Sequence, residues 1–191
     1  MLVCLDLEAA AAELAAGLLP CPSCRAGRLA SWGHGREREV RLRDGRTARL
    51  EPPRGRCGSC RRTHLLLSAW CAPRRRHGLE VIGTAAGLAV KGNGHRKIAA
   101  ALGVPDGTVR GWLRRLRANA GQLEDRVRGE MRALQMHAPV RVAGTPLGDA
   151  LNVLAAAADC AMDRLRLGPE MTWPLIGRLG LARALMPARA G

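Results

Sequence analysis

Read from the N-terminus, the apolar positions change their period twice along the chain. Residues 5–19 repeat Leu and Ala at helical spacing, with Asp6 placed to open a short amphipathic helix and Gly17 and Pro20 to close it. After Cys24 the helical period gives way to short, partly alternating runs at residues 29–32, 37–43 and 46–50. The Asp44-Gly45 pair between the last two is a hairpin signal. Pro52, Pro53 and Gly55 read as a break, and residues 63–67 as a closing strand. Val40, Leu42 and Leu50 are nearly all that this stretch offers to a core, so the predicted sheet is thin.

From about His77 the helical period returns and holds to the end. Leu79, Ile82, Ala86 and Val90 share one face of a first helix, which Gly92-Asn93-Gly94 ends. Helices over residues 95–102 and 106–119 follow, and residues 122–136 either prolong the second or form their own. Residues 139–146 read as a loop. Residues 147–167 and 171–186 read as two further Ala/Leu-rich helices parted by Gly168-Pro169.

A thin sheet needs another source of stability, and the cysteines supply a candidate. Cys21-Pro22-Ser23-Cys24 and Cys57-Gly58-Ser59-Cys60 are two Cys-x-x-Cys pairs, each able to wrap a tight turn with both thiolates aimed at one ion. Together Cys21, Cys24, Cys57 and Cys60 form the ligand set of a zinc ribbon holding one structural Zn²⁺. The chain has four Trp and no Phe or Tyr, which limits any single core and makes such a staple useful. Seven cysteines, an odd total with two such pairs, suit a reducing cytosol. The acidic flank and Glu13 make residues 5–19 unlike a secretory signal, and the segment is too short for a membrane anchor. The expected setting is cytoplasmic and nucleoid-associated, away from membranes.

Charge is distributed unevenly. Residues 1–20 carry three acids and no Lys or Arg, residues 21–120 carry 22 basic and 6 acidic side chains, and residues 121–191 carry 9 and 7. A coding bias toward arginine would spread evenly, whereas a polyanion-binding module concentrates it, and release of counterions from phosphates would drive association. Double-stranded DNA is the expected partner. The sparse aromatic set argues against stacking of single strands.

Within the basic region, residues 95–114 meet the packing requirements of a helix-turn-helix. Ala99 is small where two helices would cross, Gly103 suits the turn, and Pro105 prevents the first helix from continuing. Ile98, Leu102, Val104, Val109, Trp112 and Leu113 are the apolar anchors. Residues 106–117 then form the recognition helix, with Thr108, Arg110 and Arg114 reaching base edges or phosphates. Arg96, Lys97, Arg115 and Arg117 suit contacts to the DNA backbone. Gly107 and Gly111 offer no side chain and Asp106 repels phosphate, so base discrimination is expected to be modest.

The combination of CPSC, Trp32-Gly33, CGSC with Thr63-His64, PRRRHGLEVIG and HRKIAAALGVPDGTVRGWLRRLRA resembles a bacterial family of zinc-ribbon plus helix-turn-helix proteins. That family is similar to the DNA-binding N-terminal part of insertion-sequence transposases. The resemblance covers about residues 20–120, extends weakly through PLGDALNVLAAAA and the Trp173-Pro174 region, and implies zinc at the four cysteines and DNA binding through the second helix of the motif. It does not extend to a catalytic domain. Glu124, Asp125, Glu130, Asp149, Asp159, Asp163 and Glu170 lie in helical or loop text, with no strand to gather three carboxylates around two metal ions.

The expected architecture is therefore mainly α with a small β zinc ribbon: an N-terminal helix (1–20), the ribbon (21–72), the helix-turn-helix region (73–120) and C-terminal helices (121–191). The expected function is non-enzymatic duplex-DNA binding in transcription regulation or as a transposition accessory. The alternatives are a degenerate transposase or nuclease, and a protein-interaction scaffold. His34 and His64, beside the knuckles, are assigned supporting or phosphate-facing roles, and Cys71 with His77 lacks an orienting acid for nucleophilic catalysis. Cys4 and Cys160 read as small core residues in helices, Trp112 as core, and Trp173 as a packing residue at a helix start. The apolar faces of the C-terminal helices either pack on the preceding helices or join two copies in a homodimer.

Overall fold

Residues 2–4 open the chain as a strand. In the computed structural model, which describes residues 1–186, β1 (Leu2–Cys4) runs parallel to β6 (Thr63–Ser68), with Leu2 opposite Leu66 and Cys4 opposite Ser68. Cys4 thus belongs to a strand, contrary to the helical expectation. Helix α1 (Leu7–Ala15) starts where the Asp6 carboxylate accepts the Ala9 amide at 2.9 Å, and it is shorter than its apolar pattern. Its buried Leu14 lies on the sheet formed by β1, β6, β5 (Pro53–Cys57) and β2 (Leu29–His34), in that order.

The expected break at residues 52–55 is instead the start of β5. Pro53 occupies the first position of the strand, where its missing N–H costs least, and Gly55 pairs with both Ser31 and His64. A Cβ on Gly55 would stand 2.7 Å from Leu14 Cδ1 and 3.1 Å from Leu29 Cβ, so glycine here admits the helix onto the sheet. The hairpin of β3 (Arg38–Arg41) and β4 (Thr47–Leu50) stands apart from the four-stranded sheet and turns through Asp44-Gly45. The Asp44 carboxylate accepts the Arg46 amide there at 2.9 Å.

The helical part begins with α2 (Leu79–Val90), followed by α3 (His95–Leu102), α4 (Asp106–Ala118), α5 (Ala120–Ala133) and α6 (Pro146–Leu165). Asn119 separates α4 from α5. It is buried, and its side-chain amide donates to the carbonyls of Ala184 at 2.8 Å and Met186 at 3.3 Å, pinning the junction to the end of the described chain. Thr145 caps α6 by accepting the Gly148 amide, with Pro146 in the first turn. The single helix expected over residues 171–186 is broken into α7 (Thr172–Ile176), a π-type turn over residues 177–181, and α8 (Ala182–Ala184).

Gly177 lies at that break, where the helix meets the sheet-bearing part of the molecule. A Cβ on it would fall 1.9 Å from the backbone oxygen of Ala69 and 2.6 Å from Leu79 Cδ1. Gly177→Ala is therefore expected to destabilise by about 3 kcal/mol, seen as a fall of roughly 6–12 °C in melting temperature. An unchanged melting temperature would contradict this packing.

Three unequal apolar clusters result, the smallest joining Val40 of the hairpin to Leu67 of β6 and to Cys71. One apolar cluster runs from Ala72 through α2 to Leu185 and covers the inner faces of the C-terminal helices with those of α2, α4 and α5. A much smaller one joins Leu14, Leu29 and Leu66 to Cys21 and Cys57. Among the described residues, no helix is long and apolar enough to cross a membrane.

Candidate metal centre and basic surface

Each Cys-x-x-Cys pair folds into the same turn. The Arg25 amide donates to the Cys21 carbonyl at 2.9 Å and the Arg61 amide to the Cys57 carbonyl at 3.1 Å. Both arginines sit immediately after a pair in the left-handed region, at φ 59° and 60°. That conformation costs a non-glycine residue roughly 1–2 kcal/mol. The turns aim all four sulfurs inward: Cys21 Sγ lies 3.6 Å from Cys60 Sγ, Cys24 Sγ lies 3.7 Å from Cys57 Sγ, and all four fall within 4.8 Å of one another. A tetrahedron of thiolates each about 2.3 Å from a central ion has edges of about 3.8 Å, so this donor set fits one tetrahedral metal ion.

The electrostatics call for a cation. The Cys24 amide, with that of Ser23 and the neighbouring sulfurs, pulls the Cys21 thiol down to about 6. The Gly27 amide likewise lowers Cys24. At Cys60 the Arg62 amide acts in the same direction, but burial and the sulfurs of Cys21, Cys57 and Cys24 outweigh it and push the thiol up to about 11. Four sulfurs this close do not all ionise unless positive charge is placed among them.

His64 is buried beside the cluster and outside the ligand set. Its Nε2 is 3.7 Å from Cys21 Sγ and 3.4 Å from Ser23 Oγ, while Nδ1 meets the N-terminal nitrogen of Met1 at 3.0 Å. It therefore braces a sulfur from behind and ties β1 to the centre. His34 is exposed at the end of β2. Cys71 is fully buried, and burial pushes its thiol up to about 12 in spite of Arg38, so it is no nucleophile at neutral pH.

The second feature is the outer face of α4. Arg110, Arg114 and Arg117 are exposed and spaced by four and three residues, so they form one stripe. They line a shallow depression of about 440 Å³ with Asn93, Gly94 and His95 at the start of α3. Arg96 and Lys97 are exposed on α3, and Thr108 is half-buried in the first turn of α4. Arg115 departs from the stripe. It is half-buried and donates to the Gly111 carbonyl at 3.0 Å. Asp106 turns a carboxylate oxygen back to the Gly107 amide at 2.7 Å. Behind the stripe Val109, Trp112, Leu113 and Leu116 are buried, and Gly103 takes the left-handed conformation (φ 60°, ψ 38°) that reverses the chain between α3 and α4.

His77 packs edge-on against Trp112, with ring centroids 5.1 Å apart and planes at 72°. Burial first, then the charge of Arg41, holds its pKa below the ordinary 6.5. The unfolded chain therefore takes up this proton at a higher pH than the folded one. The stability involved is fully present above about pH 6.5 and is lost as pH falls from there toward the lower folded value. Thermal melts followed by far-UV circular dichroism should be level above about pH 7 and decline below about 6.5. His77→Gln should remove part of that decline, and an identical pH profile in the variant would refute the assignment.

The sequence marked Trp32 only through the Trp32-Gly33 pair of the resemblance; its exposed ring carries the Arg56 guanidinium at 4.7 Å from its centroid, a cation–π pair across β2 and β5 that no pattern foretold. No curated protein and no solved structure matches the chain. Residues 21–112, which include both cysteine pairs, α3 and the first half of α4, are similar to a family described only as a domain of unknown function, DUF6431.

Proposed function

We propose that this chain is a zinc-containing protein that binds duplex DNA, related to the DNA-binding part of insertion-sequence transposases and acting as a transcription regulator or transposition accessory without a nuclease of its own. In this reading α3, the Gly103 turn and α4 are a helix-turn-helix, and residues 21–72 are a zinc ribbon. The observation that carries it is the exposed Arg110–Arg114–Arg117 stripe on a helix whose opposite face is buried. A recognition helix requires both properties, a rigid inner face and a cationic outer one that can enter the major groove.

Zinc is the metal this donor set suits best, since four thiolates select a soft, tetrahedral ion. Bound there, it would join the two turns and fix the sheet that carries Arg54 and Arg56; its role is structural. The Arg side chains of the ribbon would then lie on phosphates while α4 supplies base contacts. Selection of bound fragments from random duplex DNA at defined salt tests the reading directly. Enrichment of a motif, with affinity falling steeply as salt rises, is expected. Failure to retain duplex DNA at low salt would overturn it.

A further inference from the structure

Between the β3–β4 hairpin, strands β5 and β6, and residues 73–76 lies an open cleft of about 1240 Å³. Three separate segments deliver arginines to it: Arg36 and Arg38, then Arg54, then Arg74, Arg75 and Arg76. Among the described residues none of these six has a carboxylate partner; Arg49, also on the wall, is paired with Glu39 at 3.7 Å. Two of the six are drawn below the surface. Arg38 donates from Nη1 to the Ala72 carbonyl at 3.4 Å, and Arg75 from Nη2 to the Leu185 carbonyl at 3.1 Å. Nε and Nη2 of Arg38 and Nε of Arg75 are buried with no hydrogen-bond partner.

Such an arrangement is unfavourable as it stands. Buried guanidinium nitrogens without acceptors carry an unrecovered desolvation cost, and closely placed like charges repel. The neighbouring Cys71 supplies no countercharge, because its thiol stays protonated at neutral pH. Holding the 72–76 segment against the hairpin would need one hydrogen bond from each side chain, which an uncharged amide could make. Glu37 and Glu39 also line the cleft, the latter paired with Arg49, so its seven arginines still outnumber its carboxylates by five and the excess favours anions. The Nε–Nη2 edge of Arg38 is the fork that takes two oxygens of one phosphate, and turning it outward exchanges the single long bond to the Ala72 carbonyl for two charge-assisted ones.

We propose that this cleft binds consecutive phosphate groups of a nucleic-acid backbone, so that DNA held by α4 is gripped a second time on the ribbon side of the molecule. The volume exceeds the range of about 300–1,000 Å³ usual for small-molecule pockets, and its arginines come from segments spread along the cleft; both features suit a strand better than a lone anion. The inference rests on the duplex-binding reading above, and it adds a site that shares no residue with the α4 stripe.

The test uses the full-length, metal-loaded chain and a short labelled duplex, with anisotropy titrations over a range of salt. Arg54→Gln/Arg76→Gln alters two cleft side chains that make no hydrogen bond or ion pair among the described residues, and Arg38→Gln removes the fork at the cost of one long bond to the Ala72 carbonyl. The double variant should bind about tenfold more weakly at low salt, with the slope of log affinity against log salt smaller by about two. The loss should be additive with that of Arg110→Ala/Arg114→Ala. Weakening by the cleft variants but not by the α4 variants would retain the cleft and remove the recognition helix. Unchanged affinity and slope in both cleft variants, beside a loss in the α4 variants, would overturn the cleft alone. In a parallel arm, inorganic phosphate that raises the melting temperature of the parent chain while the cleft variants bind duplex normally would make a small anion the occupant, and overturn the proposal.

Discussion

Replacing Cys57 with serine is expected to abolish metal binding and unfold the sheet-bearing part of the chain while the helices stay folded. Cys57 is fully buried at the meeting point of the two turns. Its sulfur faces Cys24 Sγ and accepts the Cys60 amide at 3.4 Å. A serine hydroxyl does not ionise near neutrality, so it is a far poorer donor to the ion. What remains to hold the sheet is the cluster of Leu14, Leu29 and Leu66 with a few half-buried neighbours, and the smaller set of Val40, Leu67 and Cys71. At about 1.5–3 kcal/mol for each buried aliphatic side chain, these cannot offset about 1–2 kcal/mol of backbone entropy for every ordered residue between 1 and 72. Structural zinc contributes roughly 10–16 kcal/mol in small zinc-binding peptides, the scale of the deficit. Elemental analysis should fall from one metal ion per chain to none. Hydrogen exchange should show amides of residues 53–68 losing protection while those of α2 and α6 keep it, because the larger cluster from Ala72 to Leu185 does not draw on the cysteines. A metal-free Cys57→Ser protein with a fully protected sheet would sink the argument.

The same contrast explains what could be read from the sequence. The four cysteines were legible because a metal-binding turn is local: two residues between ligands set its geometry, and the turns needed only to be brought together. The bounds of α3 and the start of α4 were legible for a similar reason, since Gly94, Gly103 and Pro105 mark them without reference to the rest of the chain. What escaped depends on partners distant in sequence. β1 is three residues long and exists by pairing with β6 some sixty positions away. Pro53 and Gly55 are breakers by local propensity, and only the position of Leu14 above the sheet makes glycine the residue a strand needs there. The helix expected over residues 171–186 has an unbroken apolar pattern, but Gly177 must meet the Ala69 carbonyl, and no local rule contains that contact. The arginine cleft is the extreme case. Its members are separated by up to forty positions, and the burial that distinguishes Arg38 and Arg75 from other arginines has no trace in composition.

Arg110→Ala/Arg114→Ala is expected to lower affinity for a selected duplex by about 100-fold and to leave the fold intact. Both side chains are exposed and, among the described residues, neither takes part in an ion pair or hydrogen bond, so their removal touches no packing and should move the melting temperature by no more than about 1–2 °C. The magnitude follows from what each can reach. A bidentate contact to guanine discriminates by about 1–3 kcal/mol, whereas a phosphate contact contributes chiefly through counterion release, with a slope of about 0.9 for each phosphate. Arg110 lies one turn from the start of α4, where a recognition helix meets base edges, and Arg114 lies one turn further along the same stripe. If Arg110 reads a base and Arg114 a phosphate, the double variant loses sequence preference along with about one unit of salt slope. If both lie on phosphates, preference is retained and the slope falls by about two. Arg115→Ala provides the internal comparison. Its guanidinium is turned back onto the Gly111 carbonyl, away from the stripe, so the sequence-based expectation of a backbone contact there predicts about tenfold weaker binding whereas the observed orientation predicts almost none. Equal losses at Arg114 and Arg115 would mean that DNA approaches along a different line from the one the stripe defines. No loss at Arg110 and Arg114 together would remove α4 as the reading helix, and move the grip on nucleic acid to the arginines of the sheet and the 73–76 segment.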